Sequence, residues 1–414
     1  MREGWKILTL SEIGKVYNGN SVNKKVKEKN YSNLKEGFPY IATKDISYES
    51  KIDYDNGIKI PFEEKLDFKI ALENTVLICA EGGSAGRKIG FTNREVCFGN
   101  KLFAISVIKN IESRYVYYYY FSSRFQKNFH NEMVGIIGGV SMNKFKKLEI
   151  PIPPVQDQQR IVAVLDKTFA AIDKAKANAE QNLKNAKELF ESYLQNVFEN
   201  KGEGWEEKTL KEVTTKIGSG STPRGGKASY KEEGISLIRS MNVHDFEFRD
   251  KNLAFIDDNQ ASVLKNVTLL EDDVLLNITG ASIARCCIVP KNYLPARVNQ
   301  HVSIIRAKKE IINPIFLASL LTSKYFKNKI LEIGEQGATR QAITKAQLEN
   351  FVVSLPNTIE EQEKVIEKIN TLSIETKKLE AIYQQKIADL EELKKSVLQK
   401  AFNGELKTEK ELIL

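Results

Sequence analysis

The chain is poor in the residues that build metal sites and disulfide scaffolds. Its 414 residues include 4 cysteines, 3 histidines and 2 tryptophans. Cys79, Cys97, Cys286 and Cys287, with His130, His244 and His301, form no C-x-x-C or H-E-x-x-H spacing. No metal site and no disulfide framework is therefore expected, and a reducing cytoplasm is the setting that fits. Long apolar runs are missing as well. None approaches the ~20 residues that span a bilayer, and the opening MREGWKILTL has no apolar core of a signal peptide. No membrane association is expected.

Catalytic signatures are equally scarce. The stretch Ser219 to Ser229 (SGSTPRGGKAS) has Ser221 and Ala228 where a Walker loop needs Gly and Ser or Thr. It reads as a turn before a strand. Gly82 to Gly86 lacks the full dinucleotide fingerprint and reads as a tight turn. The one Pro-Pro pair, Pro153-Pro154, follows Ile152, so the tetrad of amino-methyltransferases is absent. No spacing of carboxylates singles out an acid–base pair. No catalytic residue is assigned.

What is present is a folded composition with uneven charge. Apolar residues make up 42% and charged residues 28%, with a net charge of +8. At roughly 150 residues per domain, two or three domains are expected. Residues 1–155 hold 24 basic and 17 acidic groups, and residues 204–356 hold 21 and 17. Residues 156–203 and 357–414 are slightly acidic. Polyanion binding belongs to the first and third segments.

These segments repeat. Gly4-Trp5 recurs as Gly204-Trp205, Thr9-Leu10 as Thr209-Leu210, and Glu12 as Glu212. GFPYIATKDI (37–46) resembles GISLIRSMNV (234–243), and ENTVLIC (73–79) resembles EDDVLLN (271–277). SSRFQKN (122–128) matches TSKYFKN (322–328). The chain reads as one unit of about 200 residues used twice: globular segments at 1–155 and 204–356, each followed by a helical segment, 156–203 and 357–414. Short β-branched runs such as Val76–Cys79 and Val302–Arg306 read as strands. The aromatic run Tyr117–Phe121 reads as a buried helix, because its counterpart Phe316–Leu321 is mostly aliphatic.

Each helical segment lacks Pro and Gly for more than 40 residues and carries heptad-spaced apolar positions. In the first, the seam is Leu165, Phe169, Ile172, Leu183, Phe190, Tyr193 and Val197. In the second, it is Ile369, Leu372, Leu379, Tyr383, Leu390, Leu393 and Val397. Alternating spacings of 3 and 4 argue for a coiled coil. Helices of ~40 residues would each be about 60 Å long. The expected fold is α+β: two globular domains joined by two long helices that form an intramolecular antiparallel coiled coil with pseudo-twofold symmetry.

This architecture resembles the specificity subunit of a Type I restriction–modification system. The resemblance covers essentially the whole chain. It rests on the Gly-Trp…Thr-Leu starts, the Gly220-Ser221-Thr222-Pro223 turn, and the Pro-Ile-Pro-Pro-x-x-x-Gln-Gln-x-Ile-Val junction at Pro151–Val162. The second junction, Leu355-Pro356…Gln362…Val365, is looser, and the first unit has Gly19-Asn20-Ser21-Val22 in place of Gly-Ser-Thr-Pro. The resemblance implies two target recognition domains, each reading half of a split sequence in double-stranded DNA. It implies spacer helices that dock two methyltransferase (modification) subunits, with a restriction/translocase subunit joining them. It implies no catalysis in this chain. S-adenosylmethionine, ATP and Mg would be used by the partner subunits, and this chain would bind no cofactor. Half-sites centred about one DNA turn, ~34 Å, or a multiple of it apart would suit such a rod.

Loop residues are the expected DNA contacts. In the first unit these are Lys24, Lys25, Lys27, Lys44, Arg87, Lys88, Asn100 and Lys101. In the second they are Arg224, Lys227, Arg239, Asn242, Arg285, Gln300, His301, Arg340 and Gln341. Arginine suits guanine, Asn or Gln suits adenine, and lysine more often serves phosphate. Gln300-His301 stands where Asn100-Lys101 stands in the first unit, though it also reads as a satisfied polar pair within the fold. Two other classes compete: a self-contained DNA methyltransferase or nuclease with a diverged site, and a coiled-coil adaptor that binds no DNA. Methyl transfer or cleavage by the isolated chain would mark the first. The absence of salt-dependent duplex binding would mark the second.

Overall fold

A computed structural model describes residues 4–31, 34–135, 138–335 and 342–406. The chain divides into two compact units. One comprises Met1–Ala179 with Gln385–Leu414, and the other is the continuous stretch Glu180–Gln384. Both divisions fall inside long helices, Val155–Glu199 and Ile359–Phe402. Each unit therefore holds one globular part, half of each helix, and its own core.

The globular parts share one topology. In the first unit, an antiparallel sheet runs in the order Gly14–Asn18, Leu102–Val107, Val76–Cys79, Ile89–Phe91. In the second the order is Thr214–Ser219, Val302–Ala307, Val274–Asn277, Cys286–Ile288. A smaller sheet is built around a parallel pair, Phe38–Ile41 with Val96–Phe98, or Ile235–Ile238 with Ala296–Val298. A two-stranded ribbon closes each part: Lys6–Thr9 on Glu149–Ile152, and Trp205–Thr209 on Val352–Pro356. The Thr-Leu-x-Glu starts are helix caps, with the Glu12 carboxylate accepting from the Thr9 backbone N–H and Glu212 from that of Thr209, both at 2.6 Å.

Several repeated residues have framework roles. Gly19 and Gly220 pass so close to the carbonyl oxygens of Phe98 and Val298 that a Cβ at either would collide with backbone. The glycine of the Gly-Ser-Thr-Pro turn is therefore required in both units, whatever follows it. Gln158 and Gln362 are buried in the first turns of the long helices. Gln158 accepts from the Glu112 N–H and donates to the Pro153 carbonyl, both at 2.8 Å. Gln362 accepts from the Asn313 N–H at 2.8 Å and donates to the Ile311 carbonyl at 2.9 Å. Each glutamine fastens its helix to the loop before the helix Ser113–Tyr119 or Pro314–Thr322. The first of these carries the aromatic run, and Tyr118, Tyr119 and Tyr120 are buried in the core.

Helix ends complete both cores. In the first unit, Leu398, Ala401 and Phe402 join Leu165, Phe169 and Ile172, and the Phe402 ring lies 5.2 Å from those of Tyr115 and Tyr119. In the second, Leu194 and Phe198 join Ile366 and Ile369, and Phe198 packs on Trp205 and Phe316. The helix halves run antiparallel within each unit. In the first, the Lys176 ammonium bonds Glu391 at 2.6 Å and that of Lys394 bonds Asp173 at 2.8 Å.

The first helix buries or half-buries every seam residue expected of it. The second does not. Leu379 is 39% exposed and Leu393 48% exposed, while Leu372 is half-buried. The line of buried and half-buried positions instead runs Ile366, Ile369, Ser373, Thr376, Glu380, Tyr383, Ile387, Leu390, Lys394, Val397, Ala401. From Ile369 the heptad steps four residues to Ser373, not three to Leu372. Both choices give alternating 3 and 4 spacings. Packing of Ile366 and Ile369 at one end and of Leu398, Ala401 and Phe402 at the other sets the rotation of the helix. The small Ser373 and Thr376 then face the partner, with the Thr376 hydroxyl satisfied by the Leu372 carbonyl at 2.8 Å.

This register is testable by two alanine variants. Ile369→Ala should cost about 2–5 kcal/mol in denaturant unfolding, and Leu379→Ala should stay within about 0.5 kcal/mol of the parent. Equal losses would place the seam on the leucine line. A second pair of framework residues, Asp45 and Asn242, closes the equivalent turns Thr43–Asp45 and Ser240–Asn242. Asp45 accepts from the Ala42 N–H at 2.9 Å, Asn242 from that of Arg239 at 3.1 Å, and the Asn242 amide also donates to the Arg249 carbonyl at 2.8 Å. Asn242→Ala leaves these groups unpaired and should lower stability by about 1–3 kcal/mol, read as a fall in Tm.

Candidate nucleic-acid interface

Three loops meet at one corner of each unit. In the first unit they are the turn Thr43–Asp45, the loop from Ala80 to Lys88, and the turn from Gly99 to Lys101. In the second they are the turn Ser240–Asn242, the loop from Ile278 to Arg285, and the turn from Asn299 to His301. The backbone locks are the same. The Ala80 N–H donates to the Lys101 carbonyl at 2.9 Å, and the Ile278 N–H to the His301 carbonyl at 3.0 Å. A β-bridge ties Glu81 to Gly139 and another ties Thr279 to Ala342. Left-handed residues fall at matching places, Gly82 with Gly280 and Gly86 with Ala284.

The linings differ. In the first unit, Lys88 donates to the Thr43 carbonyl at 2.9 Å. The Arg87 and Lys88 cations lie 5.3 and 5.2 Å from the exposed Tyr48 ring, and the Tyr48 and Ser84 hydroxyls are 3.2 Å apart. Lys101 pairs with Glu81 at 2.9 Å. Asn100 is exposed at the turn tip and Lys44 beside the buried Asp45. Burial pushes the Asp45 carboxyl above the usual carboxylate range, against the pull of the Ala42 N–H and Lys44. Lys27 lies 4.9 Å from the Tyr40 ring; partial burial and the charge of Lys44 hold its ammonium below the usual lysine range. Lys24 and Lys25 are exposed on the short helix Lys24–Val26, the former 3.8 Å from Glu28.

In the second unit, the corner is an open cleft of about 420 Å³ lined by Ser240, Met241, Thr279, Gly280, Ala281, Ser282, Arg285 and His301. The Thr279 hydroxyl and His301 Nδ1 are 2.6 Å apart, and the Asn277 amide donates to the Ser240 carbonyl at 2.9 Å. Gln300 is exposed and accepts from the Thr222 hydroxyl. Arg224 and Lys227 are exposed further along that loop.

Two expected contacts are framework instead. Asn242 is fully buried and bonded within its turn, in the place Asp45 holds in the first unit, so it cannot reach a base. Arg239 is half-buried, donates to the Asn252 carbonyl and lies 5.3 Å from the Tyr230 ring. Residue type does not separate a side chain closing a turn from one facing solvent. Arg340 and Gln341 lie outside the described residues. The corners also contain uncharged groups that charge-based selection passes over: Tyr48 and Ser84 in one unit, Met241, Thr279 and Ser282 in the other. Aligning the two copies position by position is the signal that finds them.

Among the described residues, no cluster of His, Cys, Asp or Glu could hold a metal ion. The four cysteines are buried thiols, and burial pushes Cys97 up to about 11 and Cys287 up to about 12, which removes them from nucleophilic chemistry near neutrality.

Comparison with known proteins agrees with this geometry. The model of the Type I restriction modification DNA specificity domain matches twice, over residues 2–184 and 202–391. The Type I restriction enzyme EcoBI specificity subunit of Escherichia coli is 23% identical, over 98% of this chain and 87% of its own length. A chain from a solved structure of type I R-M complex assembly and conformational transition superposes with a TM-score of 0.78 at 18% identity, covering 98% of this chain and 99% of that one. The HsdS subunit of Thermoanaerobacter tengcongensis superposes at 0.62 with 19% identity, covering 98% of each. The chain belongs to the Type I restriction–modification DNA specificity family: it is a sequence-specificity subunit with two DNA-recognition domains.

Proposed function

We propose that the two corners are the base-reading surfaces, each addressed to one half of a bipartite target in double-stranded DNA. One observation carries this reading: the same three-loop framework recurs with two different polar linings. A constant framework with a changed lining is what two readers of unlike half-sites require. Lys24, Lys25, Lys27, Lys44, Arg224 and Lys227 take phosphates and set orientation. Arg87, Lys88, Asn100, Lys101, Arg285, Gln300 and His301 stand at or beside the corners and address base edges.

Partner subunits dock on the helices. Leu189 and Leu393 occupy equivalent places on the two helices and are 50% and 48% exposed. In the second unit, Leu189, Tyr193 and Leu372 line an open groove of about 800 Å³. Leu379 and Ile382 add apolar surface on the second helix. Leucines at heptad spacing on the outside of a paired helix suit further helices. Two methyltransferase subunits, one per unit, fit this repetition, and a restriction/translocase subunit joins through them. S-adenosylmethionine, ATP and Mg²⁺ belong to those subunits, and the assembly acts in the cytoplasm. No helix among the described residues is long and apolar enough to cross a membrane.

Single-molecule sequencing of methylated bases in the host genome tests the reading. One bipartite motif with a fixed gap, methylated on both strands, should vanish when this gene is deleted. Unchanged methylation in a strain expressing the protein with its partners would reject it. Docking is tested separately: Leu189→Glu and Leu393→Glu should each reduce co-purification of the methyltransferase subunit while leaving Tm within a few degrees of the parent.

A further inference from the structure

The matched corners divide into a shared element and an exchanged one. Arg87 and Arg285 occupy the same place, one residue after the matched left-handed Gly86 and Ala284. Two residues facing each other across the corner differ in kind. Where the first unit has Glu81 bonded to Lys101 at 2.9 Å, the second has Thr279 bonded to His301 at 2.6 Å. The backbone that presents them is alike, through the 2.9 and 3.0 Å locks and the β-bridges described above. A fold that holds one pair can hold the other.

We propose that this exchanged pair is the specificity-determining element of each half-site, with the matched arginine a contact common to both. The inference rests on the corners being the DNA-reading surfaces. Its chemistry follows from hydrogen-bonding capacity. A carboxylate only accepts and an ammonium only donates. In the major groove, a C·G pair presents the cytosine N4 amino donor beside the guanine O6 and N7 acceptors. Glu81 with Lys101 offers the complement of that pattern, the carboxylate to cytosine and the ammonium to guanine. An A·T pair presents its donor and acceptors differently and adds the thymine methyl. Thr279 with His301 brings a hydroxyl, an imidazole and a methyl group but no carboxylate, so the cytosine-accepting charge is lost from the second corner. The Arg285 side chain lines this cleft with no bonded partner among the described residues, and its fork remains available to guanine or phosphate.

The surface-pair alternative is that Glu81–Lys101 is an exposed ion pair with no reading role. Such pairs are worth little to stability, so exchanging them leaves the fold intact and separates the two ideas. The test transplants each pair into the other unit: Glu81→Thr with Lys101→His, and Thr279→Glu with His301→Lys. Each variant is expressed with its partner subunits in a host deleted for this gene, and the genome is sequenced for methylated bases. The first variant should change or relax a C·G position in one half of the motif and leave the other half intact. The second should alter the opposite half. If methylation disappears, the purified complex is titrated against duplexes bearing single base-pair changes in each half. Discrimination should then fall roughly 5- to 150-fold at one position of one half only, with non-specific affinity retained. An unchanged motif, a change in both halves from one variant, or the same half altered by both variants overturns the proposal. A wild-type genome with no motif dependent on this gene would instead overturn the DNA-reading function itself.

Discussion

The buried ends of the two long helices hold the rest in place. Each globular part has a small sheet system with one face still apolar, and that face is covered by helix termini: Leu398, Ala401 and Phe402 in one unit, Leu194 and Phe198 in the other. Gln158 and Gln362 pin the opposite ends of the same helices. These contacts fix both the position and the rotation of each helix. Everything on the helix surface, including which leucines face solvent, follows from that. The seam between the helices is accordingly modest, with Thr376, Ala179 and Ala186 among its buried members and Ser373 half-buried. It needs only to be compatible with a geometry that the cores impose.

A framework fixed in this way leaves the exposed side chains of the loop linings free of structural duty. The two units keep the same strand order, the same glycine beneath the same carbonyl, and the same backbone locks at the corner. Asp45 and Asn242 lie in the corner turns yet belong to the framework, as their burial and turn-closing bonds show. Arg87, beside the Tyr48 ring, and Arg285 belong to the lining.

Much of this was legible in the sequence, for stated reasons. The repeat was visible because the framework needs particular residues: Gly19 and Gly220 for close approach, Thr9 and Thr209 as caps, the buried glutamines at the helix starts. The long helices were visible because nothing in them breaks a helix. The rotation of the second helix was not, since a line through Leu372, Leu379 and Leu393 is as periodic as the line through Ser373 and Ala401. Periodicity reports that a helix has faces but not which face meets the core when two candidates lie one residue apart. At the corner, residue type draws in Arg87, Lys101, Arg285 and His301, which the fold places on the corner loops, and equally Asn242 and Arg239, which close turns. A buried amide closing a turn and an exposed amide facing DNA are the same letter, and only the hydrogen bonds of the fold tell them apart.

The division of the chain also sets an order of events during synthesis. The second unit is one continuous stretch, Glu180–Gln384, whereas the first takes its closing segment from beyond residue 385. As the chain leaves the ribosome, the part made first cannot finish folding first. Tyr115 and Tyr119 wait for Phe402, which emerges on the order of 15–60 seconds later at ordinary elongation rates. During that interval the first domain carries an uncovered aromatic face, while the second is completed at Gln384, 18 residues ahead of Phe402. The protein is thus completed from its middle outward, and its first recognition domain is sealed only as the last helix arrives.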